Sequence, residues 1–593
     1  MTQIKERLAK LRESMKLMKV NACIIPGTDP HASEYIADYW KEREWISGFN
    51  GSAGTVVVTH EKAGLWTDSR YFLQGAAQLK ETTIELMKQG LPETLEIVPW
   101  LETELNKGDK VAINAQMFSV NSFALIKKEL KMSGIDVVSE DLIKNVWENR
   151  PPLPSKPFFV FAKKYSGRSV EEKLKLLRDE LQKQHADVFV LSALDDIAWL
   201  FNIRGNDVSY NPVTIAYAMV SQDSATLFIA SEKCDDTSLK YLYQNNIQIE
   251  DYNAINGALR LIPADKTVLI DGNKLNQSLY ENIPEECEKR NVMSPVFQLK
   301  SIKNSIEMKG VRKAMVKDGV ALTRFFIWLD KQLKNGEKVT EISLTERLSE
   351  LRAKQKNFKG ESFGTIAGYA EHGAIVHYSA TVKTDAELKQ EGILLLDSGG
   401  QFLDGTTDIT RTVALGKPSK QQKTDYTMVL KGHILLGTAK FPTGTRGSQL
   451  DVLARKAMWD QAINYGHGTG HGVGHFLNVH EGPQNIRMDE NPIILRSGMI
   501  LSNEPGLYRT GEYGIRIENL VHIISAEKSE FGQFLKFETL TLFPIDTMLV
   551  DKKMLTDKEI KWLNNYHDNV YKKLAPHLTK KECKWLEKMT KAI

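Results

Sequence analysis

Apolar residues recur at helical spacing in two separate parts of the chain. The first set has a 4-3-4-3 spacing and comprises Ile4, Leu8, Leu11, Met15 and Met18. The second has a 4-3-4 spacing and comprises Val170, Leu174, Leu177 and Leu181. Each spacing predicts one apolar helix face. Ser169 and Glu172 form a capping-box pattern at the start of the second helix. We therefore expect two amphipathic helices that pack on separate cores.

The chain continues in the same way after both helices. Each is followed by a short apolar strand, at residues 22–25 and 188–191. An acidic and aromatic stretch comes next and ends at residues 45–49 and 199–203, before β-rich runs at residues 55–58 and 226–229. A period of roughly 160 residues is too long for a solenoid repeat. The pattern predicts two related α/β domains, and a chance likeness between two α/β units is the alternative.

A proline-rich stretch separates these two parts. Residues 150–157 hold four of the chain's 19 prolines. Because proline lacks an N–H donor and restricts the residue before it, we expect a stiff extended linker rather than a lone turn. A third region begins near residue 299. Apolar spacing predicts a helix there that ends at Asn335 and Gly336, and Ser343 with Glu346 predicts the start of the next helix.

The character of the chain changes from residue 360 to about residue 543. This part is rich in glycine and short β runs, and seven of the 13 histidines lie between His372 and His480. The tail from residue 551 is charged and helical, with two further capping-box patterns. The apolar residues of its two helices are Trp562, Leu563, Trp585 and Leu586. We interpret the tail as a packing element or an interface rather than a site of chemistry.

Composition and charge narrow the functional classes. The 593 residues are 42% hydrophobic and 26% charged, which is ordinary for a globular protein. A net charge of +3 gives no general attraction to nucleic acid or anionic lipid. The chain shows no apolar run of membrane-spanning length and no signal-peptide pattern, so we expect a cytoplasmic location. The four cysteines lie far apart, and reduced thiols are favoured over disulfides or a metal site.

Two aspartates flank a glycine-rich turn. A buried strand ends in Asp397, and a second strand begins at Asp408. In a hairpin centred near Phe402, these two carboxylates lie on one face. They would repel each other unless a cation or a proton came between them, and a metal ion is the simplest remedy. The alternative is that both aspartates cap backbone amides of the turn.

A second stretch, residues 466–483, combines histidines with glycines. Its five glycines between residues 466 and 474 argue against a helix, and it lacks the glutamate of an HExxH motif. An extended, close-packed backbone that presents several imidazoles is favoured. Any one of these histidines alone could be an ordinary surface or core residue. Their number favours a site.

Glu504 and Glu518 each adjoin an apolar, strand-like stretch. A buried glutamate is costly unless it is paired, although each alone could be a salt-bridge partner. With Asp397 and Asp408 these residues supply four negative charges, which balance two divalent cations, and His471 adds a neutral nitrogen. Such an oxygen-rich set of ligands suits Mn²⁺, Co²⁺ or Fe²⁺, and it indicates Zn²⁺ less specifically. Two such ions close together form a hydrolytic centre.

These motifs make the sequence recognisable. It resembles the pita-bread metallopeptidases and, within them, the three-domain Xaa-Pro aminopeptidases of the cytosolic type. The resemblance also covers residues 33–36, 48–55, 66–74, 202–208 and 211–213 of the N-terminal half. It implies an α/β (α+β) fold with two related creatinase-like domains and a pita-bread catalytic domain. The boundaries expected are 1–155, 156–303 and 304–593, the last including the helical tail.

The resemblance also implies roles for individual residues. The dinuclear metal ligands implied are Asp397, Asp408, His471, Glu504 and Glu518, with Asp408 and Glu518 bridging. Glu504 is also the implied general base. The implied substrate-contacting histidines are His377, His467 and His480, of which His377 and His480 also assist catalysis. Tyr508 and Arg516 match positions that orient the ligands. Three histidines match no catalytic position and are expected to be structural: His372, His433 and His475. Replacement of His433 by alanine is expected to leave activity near wild type.

The implied function is release of the N-terminal residue from peptides with proline in second position. Two divalent ions, most readily Mn²⁺ with Co²⁺ or Zn²⁺ as alternatives, are the implied cofactors. The implied partners are Xaa-Pro peptides and a second copy of the chain in a homodimer, without nucleic acid or membrane. Prolidase, which splits Xaa-Pro dipeptides, is the main alternative. Methionine aminopeptidase, a metal-free creatinase-like hydrolase and a non-catalytic peptide-binding protein fit less well.

Overall fold

A computed structural model describes residues 2–593, with side chains from residue 3 onward. The chain forms two compact units. One comprises residues up to 163 together with 168–297, and the other comprises residues 164–167 and 298–593. In the described residues, no helix has both the length and the apolarity needed to cross a bilayer.

The first unit contains two six-stranded sheets and one two-stranded sheet, the latter formed by residues 159–160 and 203–204. Its strands are β1 (Ala22–Pro26), β2 (Thr55–Thr59), β3 (Ala63–Thr67), β4 (Glu85–Lys88), β5 (Lys110–Ile113), β6 (Asp136–Ser139), β7 (Phe159–Val160), β8 (Val188–Leu191), β9 (Ile203–Arg204), β10 (Tyr217–Ser221), β11 (Ala225–Phe228), β12 (Gln248–Glu250), β13 (Thr267–Ile270) and β14 (Glu288–Asn291). The helices up to the end of this unit are α1 (Thr2–Leu17), α2 (Glu42–Ser47), α3 (Phe72–Leu79), α4 (Ile97–Glu104), α5 (Val120–Met132), α6 (Lys163–Ser166), α7 (Val170–Lys183), α8 (Leu194–Leu200), α9 (Asp236–Gln244), α10 (Ile255–Arg260), α11 (Gln277–Glu281) and α12 (Pro295–Ser301).

The two sheets have the same topology. Their strand orders are β4-β3-β2-β1-β5-β6 and β12-β11-β10-β8-β13-β14, with parallel and antiparallel pairs at matching places. The predicted pair of related α/β domains is thereby confirmed. The predicted strand correspondence is wrong, because 55–58 belongs to β2, whose counterpart is β10, whereas 226–229 overlaps β11, the counterpart of β3.

The helices α1 and α7 carry the predicted apolar faces. Leu8, Leu11 and Met15 are buried on α1, and all four predicted residues of α7 are buried. The predicted capping box at Ser169 and Glu172 is present. Met18 differs from the prediction, since α1 ends at Leu17 and Met18 is exposed. The periodic apolar pattern thus runs one residue past the end of the helix, from Leu17 to Met18.

The second unit packs helices around several small sheets. Its strands are β15 (Phe358–Glu361), β16 (Ile366–Tyr369), β17 (Ile393–Ser398), β18 (Gly400–Phe402), β19 (Gly405–Thr406), β20 (Ile409–Ala414), β21 (Lys440–Pro442), β22 (Gly470–His471), β23 (Asn485–Ile486), β24 (Ile500–Asn503), β25 (Gly506–Arg509), β26 (Tyr513–Arg516), β27 (Asn519–Ser529) and β28 (Gly532–Thr539). Its helices are α13 (Ser305–Lys334), α14 (Glu341–Ala353), α15 (Lys420–Gly437), α16 (Ser448–Trp459), α17 (Asp557–Leu574) and α18 (Lys580–Met589).

Helix ends in this unit test the capping predictions. Helix α13 has Asn335 as its C-cap, as predicted. Helix α14 begins at Glu341, because Thr340 is the N-cap and pairs with Ser343, so the predicted start at Ser343 is wrong. Both predicted capping boxes of the tail, at Thr556 and Thr579, are present. Leu563 and Leu586 are fully buried in the core of this unit, which supports a packing role for the tail.

Candidate metal centre

The register of β17 and β20 brings the two predicted aspartates to one face. Asp397 lies opposite Thr410, and Asp408 comes two residues before Thr410 in the chain. Because strand side chains alternate, Asp408 and Thr410 point to the same side as Asp397. The turn between them is a small inner hairpin in which Phe402 pairs with Gly405. The predicted hairpin is therefore present, and both carboxylates are buried.

A second strand pair supplies the two glutamates. Asn503 at the end of β24 lies opposite Asn519 at the start of β27, so Glu504 and Glu518 come next to each other just beyond the paired residues. The amide of Glu518 donates to the Thr410 carbonyl at 3.1 Å, which ties this pair to the aspartate strands. The hydroxyl of Thr410 also donates to Glu518 Oε2 at 2.8 Å.

His471 faces the carboxylates with one defined nitrogen. Its Nδ1 lies 2.9 Å from the Gly472 carbonyl, an acceptor, so Nδ1 donates there and Nε2 is the nitrogen that faces the carboxylates. Nε2 lies 3.4 Å from Asp408 Oδ2 and 3.5 Å from Glu504 Oε1. Ligand atoms of Asp408, His471 and Glu518 all lie within 4.8 Å of one another, which is close enough to hold one metal ion.

The electrostatics of the carboxylate cluster favour the binding of cations. Burial raises the pKa of Asp397, and the charge of Asp408 adds to this rise. Burial and the charges of the neighbouring carboxylates raise the pKa of Glu518 well above its ordinary value. Within the described residues, Asp397 Oδ1 and Glu518 Oε1 are buried oxygens without a hydrogen-bond partner. Oxygens of this kind, beside an imidazole nitrogen that faces them, fit divalent metal ions.

Arg516 begins a chain of hydrogen bonds that leads away from the carboxylates. Its Nη2 donates to Asp397 Oδ2 at 2.6 Å, and its Nη1 donates to the Tyr508 hydroxyl at 2.7 Å. Tyr508 in turn lies 2.8 Å from His467 Nε2, which accepts because His467 Nδ1 donates to the Gly468 carbonyl. The chain orients Asp397 and connects it to the predicted pocket histidine.

The other two predicted histidines adjoin residues of this centre or their hydrogen-bond partners. The His480 ring packs edge-on against His471, with 4.4 Å between ring centroids. His377 is half-buried between two anchored neighbours. The Val376 carbonyl accepts from Arg516 Nη2 at 3.4 Å, and the Tyr378 hydroxyl donates to Glu341 Oε2 at 2.8 Å.

The three histidines without a predicted catalytic role have structural surroundings. His475 is buried. His372 donates from Nδ1 to Glu341 at 2.9 Å. His433 on α15 is buried against the ends of the two glutamate strands, where Nδ1 donates to the Asn503 carbonyl at 3.1 Å and Nε2 accepts from Asn519 at 3.0 Å. Asn503 and Asn519 directly adjoin Glu504 and Glu518. The structure thus argues against the expectation that His433→Ala stays near wild type.

Sequence reasoning missed several polar residues that contact the site. Thr410 donates to Glu518 and accepts from Arg516 Nε at 3.2 Å. Ser502 donates to Glu504 Oε1 at 3.1 Å and accepts from the His471 amide at 3.0 Å. Both lie two residues from a carboxylate on the same strand face, and that alternation is a signal that the sequence contains. Glu341 lies far away in the chain and has no such signal.

Known families match this chain along almost its whole length. Two profiles described as the creatinase/prolidase N-terminal domain match residues 7–144 and 149–307, and the profile of metallopeptidase family M24 matches residues 309–525. The profile of the C-terminal region of peptidase M24 matches residues 533–593. A probable Xaa-Pro aminopeptidase P of Coprinopsis cinerea is 42% identical over 612 aligned positions, covering 99% of this chain and 98% of that protein. This chain belongs to the Xaa-Pro aminopeptidase P family of M24 metallopeptidases.

Solved structures agree with membership in the Xaa-Pro aminopeptidase P family. The chain matches the crystal structure of an X-prolyl aminopeptidase from Caenorhabditis elegans, described as a cytosolic enzyme with a di-nuclear active site, with a TM-score of 0.96 and 37% identity over the whole of both chains. An Xaa-Pro dipeptidase from Bacillus anthracis covers 64% of this chain at 22% identity and a TM-score of 0.51, which shows a shared fold alone. The predicted fold class, with creatinase-like domains before a pita-bread catalytic domain, is confirmed.

Proposed function

We propose that this protein is a dinuclear-metal aminopeptidase that releases the N-terminal residue from peptides with proline in second position. The observation that carries the proposal is the group of Asp408, His471 and Glu518, with Glu504 3.5 Å from His471 Nε2, in a chain of the Xaa-Pro aminopeptidase P family. A buried cluster of like charges is costly unless cations neutralise it.

The ions would be held by Asp397, Asp408, His471, Glu504 and Glu518. Asp408 and Glu518 are the proposed bridging ligands, because their ligand atoms lie together beside His471 and the charges of three carboxylates act on Glu518. The oxygen-rich set favours Mn²⁺, with Co²⁺ or Zn²⁺ as alternatives. When bound, such ions activate water and polarise the carbonyl that is attacked.

Glu504 is the proposed general base. One of its oxygens, Oε1, accepts from Ser502, which holds the carboxylate in place while a proton moves to it from the attacking water. His377 and His480 would contact the peptide and stabilise charge during the reaction, and His467 would line the pocket. Tyr508 and Arg516 orient Asp397 and His467 through the hydrogen-bond chain described above.

Preference for proline has a chemical reason. A proline in second position makes the scissile amide tertiary, so the enzyme cannot recognise an N–H there. Recognition therefore depends on an apolar surface for the ring and on contacts to the carbonyl. Prolidase would need in addition to select the free carboxylate of a dipeptide.

A peptide panel tests the proposal. Xaa-Pro-Xaa tripeptides and longer peptides should be cleaved with Mn²⁺ present, whereas Xaa-Ala-Xaa peptides should be poor substrates. Faster cleavage of Xaa-Pro dipeptides would assign the protein to the prolidases instead. A chelator should abolish activity, and Mn²⁺ or Co²⁺ should restore it. Activity that survives complete metal removal would contradict the dinuclear mechanism.

We also propose the domain division 1–155, 156–303 and 304–593, a homodimer and a cytoplasmic location. The family profiles change near residues 144–149 and 307–309, close to these boundaries. The Caenorhabditis elegans relative is described as cytosolic, which supports the proposed location. Light scattering of the purified protein tests the dimer, and a mass of about 67 kDa in solution would contradict it.

A further inference from the structure

A buried arginine contacts the backbone next to the candidate metal centre. Arg411 follows Asp408 by three residues on β20. Its Nη1 donates to the carbonyl of Glu518 at 2.6 Å and to the carbonyl of Thr410 at 2.9 Å. Arg411 therefore donates hydrogen bonds to the backbone of both segments that carry the proposed bridging carboxylates, Asp408 and Glu518.

The other side of Arg411 contacts the C-terminal region. Its Nε donates to the Pro544 carbonyl at 3.0 Å. Its Nη2 donates to the hydroxyl of Tyr566, to Asn519 Oδ1 and to the Phe543 carbonyl, each at 2.8 Å. Tyr566 lies on α17, in the tail, and its hydroxyl donates onward to the Phe543 carbonyl at 2.8 Å.

The same hydrogen-bond network reaches the residue before Glu504 through His433. Asn519, which accepts from Arg411, donates to His433 Nε2, and His433 Nδ1 donates to the carbonyl of Asn503. Trp562 on α17 stacks on Tyr566 and meets His433 edge-on, with ring centroids 5.4 and 5.9 Å away. Helix α17 thus covers a continuous set of hydrogen bonds that ends at the backbone beside both glutamates.

We propose that Tyr566 is a positioning residue for the metal centre, acting through Arg411 on the strands of Asp408 and Glu518. The inference rests on the proposed function, because it assumes that these carboxylates hold metal ions. Its physical basis is that Arg411 is buried and must satisfy its donors inside the protein. Each acceptor fixes the guanidinium, and the guanidinium fixes the two strands.

Tyr566→Phe is the appropriate change because it removes only the hydroxyl. The ring would keep its stack on Trp562, and Arg411 Nη2 would keep two acceptors, Asn519 and the Phe543 carbonyl. We therefore expect a folded protein whose guanidinium is held less tightly. Tyr571→Phe is the matched control, since Tyr571 lies on the same helix and packs on the same core but takes no part in the network.

In the experiment, the full-length, metal-stripped protein is titrated with Co²⁺. Calorimetry measures the affinity, and visible absorption measures the geometry of the bound ion's ligands. Tyr566→Phe is expected to weaken binding of at least one ion by about tenfold and to alter the cobalt absorption bands, which report the geometry of the ligands. Tyr571→Phe should match wild type in both measurements. Thermal unfolding of the metal-free proteins separates these effects from a loss of stability.

The outcomes distinguish this inference from the proposed function. Wild type that binds no Co²⁺ contradicts both. Wild type that binds two ions, with Tyr566→Phe indistinguishable from Tyr571→Phe in affinity and spectrum, contradicts only the positioning role. A lower unfolding temperature for Tyr566→Phe with unchanged affinity and spectrum would make Tyr566 a structural residue and would also overturn the inference.

Discussion

At the scale of single residues, the histidines of the catalytic unit differ in what their two nitrogens contact. His471 donates from Nδ1 to a backbone carbonyl and directs Nε2 towards carboxylates, which is the arrangement of a metal ligand. His433 has both nitrogens in hydrogen bonds to residues of the fold. The distinction lies in the contacts, and residue type alone does not reveal it.

The proposed division into metal ligands and proton-transfer residues predicts two different effects of substitution, one on metal binding and one on the catalytic rate alone. Asp408→Ala should lose metal and activity together, because Asp408 is proposed to bridge both ions. His377→Ala should keep both ions while kcat falls, by about 10²–10⁴, the usual range for a positioned proton-transfer group. The measurements are metal stoichiometry, kcat and KM.

His577→Ala is the control for these variants, since His577 is exposed in the tail. It should resemble wild type in metal content and rate. Loss of metal from His377→Ala would place His377 among the ligands. Equal damage from His577→Ala would show that the assay reports general instability.

At the scale of elements, the first residue of α14 holds the segment that carries His377. Glu341 is fully buried and accepts from the amide of Tyr369 at 2.9 Å, the amide of Ala386 at 3.1 Å, the ring of His372 and the hydroxyl of Tyr378. One carboxylate thereby joins both ends and the middle of residues 369–386.

This arrangement predicts a pH-dependent contribution to stability. Hydrogen bonding to Glu341 raises the pKa of His372 above its ordinary value, against the opposing effect of burial. The stabilisation is therefore complete below the unfolded pKa of about 6.5 and is lost as pH rises through the higher folded pKa. Glu341→Gln should lower the unfolding temperature more at pH 6 than at pH 9. An equal loss at both pH values would contradict the charged pair.

Helix packing makes a separate prediction at the same scale. Helices α15 and α16 approach so closely that a Cβ at Gly432 would lie 2.0 Å from the Ala454 carbonyl oxygen. A Cβ at Gly257 on α10 would meet nothing within 4 Å. Gly432→Ala should therefore lower the unfolding temperature, because the helices must separate. Gly257→Ala should hold or raise it, since alanine costs less entropy in a helix by about 0.5–1 kcal/mol. Calorimetry of both variants checks the pair.

At the scale of the whole molecule, buried neutral histidines predict sensitivity to acid. Burial, with the charge of Arg411, lowers the pKa of His433 to about 3 and that of His567 to about 4. The unfolded chain takes up protons near pH 6.5, whereas the folded chain does not. Each histidine therefore costs about 1.4 kcal/mol of stability per pH unit between pH 6.5 and its folded pKa.

His567→Gln tests this prediction with chelator present, so that metal loss at low pH does not contribute. The difference in unfolding free energy between wild type and variant should shift in favour of the variant as pH falls from 7 to 5. A difference that stays constant over this range would contradict a neutral, buried His567.

Several features follow from the sequence alone. The helix faces of α1 and α7, the capping boxes of the tail and the aspartate hairpin all follow from local periodicity and residue chemistry, which need no distant contact. The residue types proposed as ligands, Asp397, Asp408, His471, Glu504 and Glu518, follow from charge balance and from resemblance to a known family. The two related α/β domains follow from the repeat of helix and strand.

Other features depend on tertiary structure. The correspondence between β2 of the first sheet and β10 of the second depends on the order of strands within each sheet. Similar apolar runs along the chain do not specify that order. Arg411 and Tyr566 are 155 residues apart, and Glu341 meets Ala386 across 45 residues. Such contacts form because buried donors must find acceptors wherever packing places them. Periodicity describes a residue's own element, so the roles of His433, Glu341 and Tyr566 became visible only once the elements had been packed together.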